Sequence, residues 1–281
     1  MTVISPNPPL APLSSAKSLK PTIFWRIAED IPQSLKWILI VMSVGIPFCL
    51  WWGIASTGWV NPKFLPSPSM VLEALIGLWQ QDYLLSDTLA SFLRVSAGFL
   101  LASLVGIPIG IAMGAFASVR SLFEPLIGIV RYMPAPAFTP LLVIYLGLGE
   151  EPKIALIFIG TVFFNILMIM DAVKFVPKDL IETTYTLGGN RLQTLMQVIM
   201  PYVVPSIFDT LRVNMASAWN LVIVAELVAA EGGLGKRIAI SQKFFQTENI
   251  FACLIILGLI GFIVDLSLQA AMRMTCKWAV K

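Results

Sequence analysis

Six stretches of about twenty mostly apolar residues dominate this sequence; they cover approximately residues 36–56, 88–114, 126–147, 153–172, 203–229 and 250–272. A helix of that length crosses the hydrocarbon core of a bilayer with its backbone polar groups paired internally. Only 12% of the residues are charged, against about 25% in soluble domains, and the mean hydropathy is +0.84. The sequence therefore predicts an all-α integral membrane protein with about six transmembrane helices.

The distribution of positive charge predicts how these helices are oriented. Residues 1–34 are interpreted as a cytoplasmic N-terminal tail with an interfacial segment, and residues 35–281 as the transmembrane domain. Positive residues are retained on the cytoplasmic side of a membrane. With the N-terminus inside, the cytoplasmic segments hold Lys17, Lys20, Arg26, Lys36, Arg120, Arg131, Lys174, Lys178, Arg191, Arg273, Lys277 and Lys281, and the outer connections hold Lys63, Lys153, Lys236, Arg237 and Lys243. We therefore expect both termini to be cytoplasmic.

Composition argues against several classes of function. The positive residues are scattered, which is not the footprint of a nucleic-acid-binding surface. The three cysteines, Cys49, Cys253 and Cys276, are far apart, and the chain contains no histidine, so neither a disulfide framework nor a metal site is expected. Motifs of metalloproteases and of serine hydrolases are also missing, which argues against an intramembrane enzyme.

Small residues recur every four positions in the second apolar stretch: Gly98, Ala102, Gly106, Gly110 and Gly114. Such a row lets two helix backbones approach closely in lipid, where packing holds helices together. We interpret the row as a packing seam, with direct contact to a substrate as the alternative.

Ionisable residues inside the apolar stretches are costly and mark functional candidates. Arg94, Arg212 and Glu226 are therefore the candidates for a path across the membrane, and a path for anions would favour the arginines, whose guanidinium forks bind oxyanions. The alternative is that the two arginines reach the span ends or pair with carboxylates such as Asp209 or Glu226.

The third apolar stretch carries three prolines between Met133 and Pro140, and prolines remove backbone donors. Broken helices line cavities in transporters, so Met133, Pro136 and Phe138 are further candidates for the path, with Tyr145 as a possible gate residue. A kink filled by neighbouring helices is the alternative.

A polar segment at residues 171–212 separates the fourth and fifth stretches. Apolar residues recur at helical spacing between Leu187 and Ile199, and Pro177 precedes a second helical segment. We expect two short helices joined at a glycine bend at Gly188, with Pro201 ending the second helix. An ordinary interfacial loop is the alternative.

Within this segment, Glu182, Gly188 and Pro201 have the spacing of the EAA signature by which permeases of binding-protein-dependent ABC importers dock onto their ATPases. The chain departs from that signature at Thr183, Thr184, Val198 and Met200. Further segments also resemble these permeases: LPSPSMV at 65–71, TLASFLRVSAGFLLASLVGIPIGI at 88–111, MPAPAFTPLLVIYLGLGEEPKI at 133–154 and AWNLVIVAELVAAEGGLGKRI at 218–238. The chain thus resembles the nitrate, sulfonate, taurine and bicarbonate branch of importer permeases, and within that branch it most resembles the permeases of nitrate/nitrite and bicarbonate systems.

The resemblance implies the type I importer permease fold, with a coupling loop at about 174–201 whose contacts come from Glu182, Thr183, Thr184, Gly188, Val198, Met200 and Pro201. It also implies a location in a bacterial inner membrane, two ATP-binding subunits, an extracytoplasmic binding protein and a second permease copy that makes the pore a homodimer. ATP and magnesium would bind to the partner subunits, since this chain has no phosphate-binding loop. Nitrate or nitrite is the favoured substrate, ahead of bicarbonate and then taurine or a sulfonate.

A stand-alone secondary anion transporter is the alternative class of function, although no inverted repeat of short spans is evident. Stable association with ATPase subunits distinguishes the two classes. We expect Gly188→Asp to impair ATPase docking while membrane insertion is retained.

Overall fold

A computed structural model describes residues 30–229 and 231–279, and every regular element within them is helical. The predicted tail at 1–34 lies almost wholly outside the described residues. The chain divides into a unit that ends at Ile54 and a larger unit from Ala55 onward. The first unit contributes most of α1 (Gln33–Ser56), which buries none of its residues and is apolar on all sides, as expected of a helix that faces lipid.

The second unit is a helical bundle with the following elements: α2 (Pro68–Gln80), α3 (Tyr83–Ala115), α4 (Ala117–Val130), a 3₁₀ turn (Ala135–Phe138), α5 (Thr139–Leu146), α6 (Glu151–Lys174), α7 (Lys178–Thr186), α8 (Arg191–Gln193), a π-helical turn (Thr194–Ile199), α9 (Met200–Ala229), α10 (Leu234–Lys243) and α11 (Thr247–Thr275). With α1, the described residues contain five helices long and apolar enough to span a membrane, or six if the bent pair of α4 with 135–146 counts as one span. The predicted number of spans is confirmed.

The centre of the bundle is the contact between α3 and α6, and it uses the predicted row of small residues. A β-carbon added at Gly98 would lie 2.8 Å from the carbonyl oxygen of Ile154, and one at Gly110 would lie 2.8 Å from that of Ile166. These contacts advance along both helices together, so α3 and α6 run parallel with their backbones close. The prediction of a packing seam is confirmed, and larger side chains would force the two helices apart.

Helix α9 runs antiparallel to α6 and packs against both α3 and α6. The side-chain amide of Asn214 donates to that of Asn165 at 2.7 Å, while Leu221 packs over Gly160 nearer the start of α6. The bundle consequently has two distinct ends, separated by about 36 Å, the length of a 24-residue helix. We call the end with residues 175–193 the loop end, and the end with Arg94, Glu150 and Glu226 the ion-pair end.

The third span is broken, as its prolines predicted. Helix α4 and residues 135–146 are bent by 83° relative to each other. The first half begins at Ala117, earlier than the predicted residue 126, because Pro125 is accommodated inside α4. Arg131 therefore lies at the bend between the two halves, and its assignment to the cytoplasmic side stays a prediction. Lys153 belongs to the first turn of α6 and is buried, rather than lying in the connection before that helix.

The loop end contains the predicted bend but not the predicted helix end. Gly188 has a φ of +84°, a conformation that favours glycine, and the next helix opens at Asn190 with a capping box to Gln193. Pro201, however, does not end that helix. The π-helical turn at 194–199 shifts the backbone hydrogen bonds, which accommodates the missing donor and the ring of proline, and the helix continues through α9.

Candidate functional site

The ion-pair end is organised around one buried guanidinium. The side chain of Arg94, on α3, forks onto Glu150 between α5 and α6, with Nη2 at 2.8 Å from Oε1 and Nε on Oε2. Its Nη1 donates to Glu226 of α9 at 2.6 Å and to the carbonyl oxygen of Gly232 at 2.7 Å. A single arginine thus ties four separate segments of the chain together through charge-assisted hydrogen bonds.

The glycine-rich loop at 232–235 is held by side chains of the same cluster. The backbone N–H of Gly233 donates to Asp87 at 2.8 Å, that of Leu234 to Ser91 at 3.0 Å, and that of Gly235 to Glu226 at 2.8 Å. Ser91 in turn donates to Glu226 at 2.8 Å. Every acceptor in this set is buried, so the loop and its anchors satisfy one another without water.

Two further cations complete the cluster. Arg237 of α10 pairs with Asp87, with Nη2 and Nε each 2.8 Å from Oδ2, and Lys153 donates to Glu150 at 2.9 Å. The hydrogen bond from Arg94, supported by the one from Lys153, lowers the pKa of Glu150 from 4.5 to about 2. Glu150 therefore stays ionised throughout the physiological pH range.

A second ion pair lies between α9 and α11. Arg212 forks onto Asp265 at 2.8 and 3.0 Å and has a longer contact of 3.5 Å with Asp209. The alternative in which the two arginines pair with carboxylates is thus what the structure shows for Arg212 and for Arg94. Asp265 is the main partner of Arg212.

The broken span opens onto a cleft of about 330 Å³. Met133 and Pro136 line it, whereas Phe138 and Tyr145 do not. Across the cleft, α9 contributes Ser217 and Asn220, which are exposed within a membrane span. Exposed polar groups on a span, opposite a helix break, are typical of a surface that faces water rather than lipid.

The loop end presents its side chains outward. Glu182 is exposed, and no ion pair engages it among the residues that the structure describes. The hydroxyls of Thr183 and Thr184 donate to carbonyl groups one turn earlier in α7, so they are already satisfied within the helix. Four large side chains stand exposed beside them: Tyr185, Leu187, Leu192 and Met196. Such a group of exposed apolar side chains at the end of a bundle marks an interaction surface.

Comparison with known proteins shows which family of proteins the chain is similar to. Residues 106–275 match the family described as binding-protein-dependent transport system inner membrane component. The chain belongs to this family. It is 32% identical to the taurine transport system permease protein TauC of Escherichia coli, over 90% of this chain and 92% of that protein. It is 36% identical to a probable ABC transporter permease protein of Brucella melitensis, over 85% and 96% of the two chains.

Other similarities agree with these. A putative aliphatic sulfonates transport permease protein, SsuC of Bacillus subtilis, is 28% identical over 86% of this chain and 88% of its own length. Among solved structures, a chain of the MetNI methionine ABC transporter superposes with a TM-score of 0.60 at 16% identity, over 69% of this chain and 97% of that one. The permease fold predicted from the sequence is confirmed, and the chain is a permease of an ABC importer in the inner membrane. Such permeases work with a binding protein and with separate subunits that hydrolyse ATP.

Some residues of the permease's candidate site were found from the sequence and others were missed. Arg94 and Glu226 were named as path candidates, and the structure brings them together in one buried pair. Asp87, Ser91 and Glu150 were missed, as were Ser217 and Asn220. A signal for Asp87 and Ser91 was present in the glycine-rich string at 232–235, whose backbone donors need acceptors from elsewhere in the fold. The roles of the residues in transport and in coupling stay predictions.

Proposed function

We propose that this permease imports a small oxyanion, with an organosulfonate of the taurine or alkanesulfonate class as the first candidate. The named relatives TauC and SsuC support a sulfonate. The sequence analysis favoured nitrate or nitrite, then bicarbonate, whereas the relatives named above that have a stated substrate are taurine and sulfonate permeases. Nitrate, nitrite and bicarbonate remain candidates because all of these ions present oxygens that an arginine fork or an amide can bind.

The loop end faces the cytoplasm and docks the ATPases in this proposal, and the ion-pair end faces the binding protein. The excess of Lys and Arg in the segments assigned to the inside supports this orientation. The exposed apolar residues at the loop end, together with the exposed carboxylate of Glu182, suit a protein partner. Two ATPase subunits, which carry ATP and magnesium, and a second permease copy complete the transporter.

One observation carries the mechanism: the helix that starts at Arg191 runs without a break to Val228. It begins in the docking loop and ends beside Glu226 in the ion-pair cluster, and Pro201 does not interrupt it. A continuous helix transmits a displacement along its length, because its hydrogen-bonded turns resist compression. Movement of the ATPases against α7 and α8 would therefore shift α9 along the cleft and alter the ion-pair end.

The two steps of transport follow from this coupling. Closure of the ATPases on ATP would open the cleft beside Ser217 and Asn220 toward the binding protein, whose released anion then enters the cleft from the ion-pair end. Hydrolysis would let the loop end relax and return the cleft to the cytoplasmic side. The polar face of α9 and the freed backbone of the broken span would replace part of the hydration of the anion.

The experiment is ATP hydrolysis by the complete transporter in lipid, with the binding protein loaded with taurine, methanesulfonate, nitrate, nitrite or bicarbonate. We expect one class of anion to raise the rate of hydrolysis severalfold, and sulfonates to be that class. Stimulation by nitrate or bicarbonate alone would overturn the sulfonate assignment. Anion flux through the permease without any ATPase would overturn the importer function and favour a secondary transporter.

A further inference from the structure

Two buried cations at the ion-pair end share one exposed carboxylate as their partner. Arg94 is 6% exposed and Lys153 is 3% exposed, yet both bind Glu150, whose side chain is 54% exposed. Glu150 follows the short corner after α5, where Gly147 has a φ of +83°. The cations are fixed inside the protein, whereas the carboxylate that neutralises them lies at its surface.

The position of the Glu150 carboxylate is one that a free oxyanion fits. The Nε and Nη2 edge of Arg94 grips both carboxylate oxygens, and Lys153 Nζ lies 2.9 Å from Oε1. Sulfonate, nitrate and bicarbonate offer the same pair of oxygens to such a fork. The start of α6 follows directly, and a helix N-terminus also favours negative charge.

The guanidinium keeps its place when Glu150 leaves. Its Nη1 remains bonded to Glu226 at 2.6 Å and to the carbonyl oxygen of Gly232 at 2.7 Å, and neither group belongs to the corner that carries Glu150. The fork would therefore stay oriented toward the position that the carboxylate vacates, so the site is preformed rather than assembled on binding.

The balance of charge decides what can displace Glu150. Arg94 and Lys153 are matched by Glu150 and Glu226, so departure of Glu150 alone leaves a buried excess of positive charge, which is costly. Protonation does not release it either, because the pKa of Glu150 is about 2. Exchange for another monovalent anion keeps the cluster neutral and is the one low-cost way to open the site.

We propose that Arg94 and Lys153 form a binding site for the transported oxyanion at the ion-pair end, and that Glu150 occupies this site until the anion displaces it. The identity of the ligand, the transported oxyanion, rests on the proposed function. The site receives an anion released by the binding protein, and return of Glu150 then expels the anion toward the cleft. The carboxylate is a built-in competitor, which keeps affinity low enough for transport.

The first test removes the competitor's charge. The permease–ATPase complex is placed in nanodiscs without binding protein, and its affinity for methanesulfonate is measured by calorimetry. The Glu150→Gln complex should bind methanesulfonate at least about tenfold more tightly than the unaltered complex, because the anion then displaces a neutral amide and its own hydrogen bonds to Arg94 and Lys153 are charge-assisted. The double variant Glu150→Gln with Lys153→Met restores neutrality and should lose that gain. No gain in Glu150→Gln, or a gain that persists in the double variant, overturns the proposal.

The second test needs no substitution. A carbodiimide with an amine labels free carboxylates, and mass spectrometry separates Glu150 from its exposed neighbour Glu151 in one peptide. Methanesulfonate or nitrate should raise labelling of Glu150 about threefold or more, while Glu151 stays constant and chloride of equal ionic strength has little effect. Unchanged labelling at Glu150 under saturating anion contradicts the proposal, even if the first variant does not assemble.

The two proposals fail in different ways. If anions stimulate ATP hydrolysis but neither bind more tightly to Glu150→Gln nor expose Glu150, the site is wrong and the importer function stands. If anions bind and expose Glu150 but no loaded binding protein stimulates hydrolysis, the site is supported and the proposed transport function fails.

Discussion

The two ends of the bundle differ in which side chains they bury and which they expose. At the ion-pair end, polar groups are buried and paired within the chain: Arg94 pairs with Glu226, Arg237 pairs with Asp87, and the backbone donors of the 232–235 loop find side-chain acceptors. At the loop end, apolar and charged side chains such as Leu187 and Glu182 stand exposed. One end is complete in a single chain, and the other is built to be completed by a partner.

This difference separates the residues that stabilise the folded chain from the residues that bind partner subunits. Removing one member of a buried ion pair leaves an uncompensated charge, which is among the largest single-residue penalties. Removing an exposed side chain has little effect on folding and matters only when a partner covers it. Substitutions at the two ends should therefore separate folding from docking, and the predictions below use that contrast.

The largest expected effect is on folding at the ion-pair end. Arg94→Met should lower the free energy of unfolding by about 3 to 5 kcal/mol, because Glu226 is left buried without its cation. Arg191→Met, at the exposed start of α8, is the matched control and should change it by less than about 0.5 kcal/mol. Thermal unfolding in detergent measures the stability of both variants. Similar losses of stability in the two variants would contradict the difference between the two ends.

The next effect is on assembly at the loop end. Leu187→Asp, at a side chain 82% exposed, should weaken association with the ATPases at least about tenfold, as expected at an interface hot spot, while its melting temperature is unchanged. Leu148→Asp is the control, since that leucine is 71% exposed at the corner near Glu150. Co-purification of the ATPases should survive only in the second variant. Equal retention by both would argue against docking at the loop end.

A smaller effect is expected at the bend of the docking loop. Gly188→Val should weaken ATPase association by about 1 to 2 kcal/mol, because its φ of +84° is unfavourable for a β-branched residue. Gly188→Asn should be milder, since asparagine tolerates this region better. Gly128→Ala has open space around it and serves as the control. The affinity for the ATPases should fall most in Gly188→Val, less in Gly188→Asn and least in the control. Equal affinities in all three variants would contradict a role for the backbone conformation at Gly188.

The smallest effect concerns pH. The pKa of Glu150 is lower in the folded protein, about 2 against 4.5, so its contribution to stability is present above pH 4.5 and is lost as the pH falls toward 2. The difference in melting temperature between the protein and Glu150→Gln should therefore be constant from pH 5 to 8 and shrink below about pH 4.5. A difference that changes near neutral pH would show that Glu150 is not held by Arg94 and Lys153.

Most of the bundle followed from local patterns in the sequence. Apolar stretches of sufficient length predict spans, the four-residue spacing from Gly98 to Gly114 predicts close helix contact, and the prolines near Met133 predict the break. The glycine bend at Gly188 was also readable, because the backbone conformation required there is local. These features depend on residues close together in the chain.

The features that were missed depend on distant residues. Glu150 is 56 positions from Arg94, and Asp87 is 146 positions from Gly233, so periodicity carries no signal of their contacts. Pro201 was expected to end a helix, and the continuation depends on a π-helical turn that propensity alone does not predict. The polar face of α9 at Ser217 and Asn220 becomes visible only when the neighbouring helices are in place.

The most direct test of the account is to determine on which side of the membrane each end of the bundle lies. Leu187→Cys and Leu148→Cys would be placed in permease whose native cysteines are replaced by serine, and an impermeant maleimide would be applied to intact spheroplasts and to lysed membranes. The account predicts that Cys at 148 is labelled in intact spheroplasts and that Cys at 187 is labelled only after lysis and is protected by bound ATPase. Labelling of position 187 from outside, or its indifference to the ATPase, would contradict it.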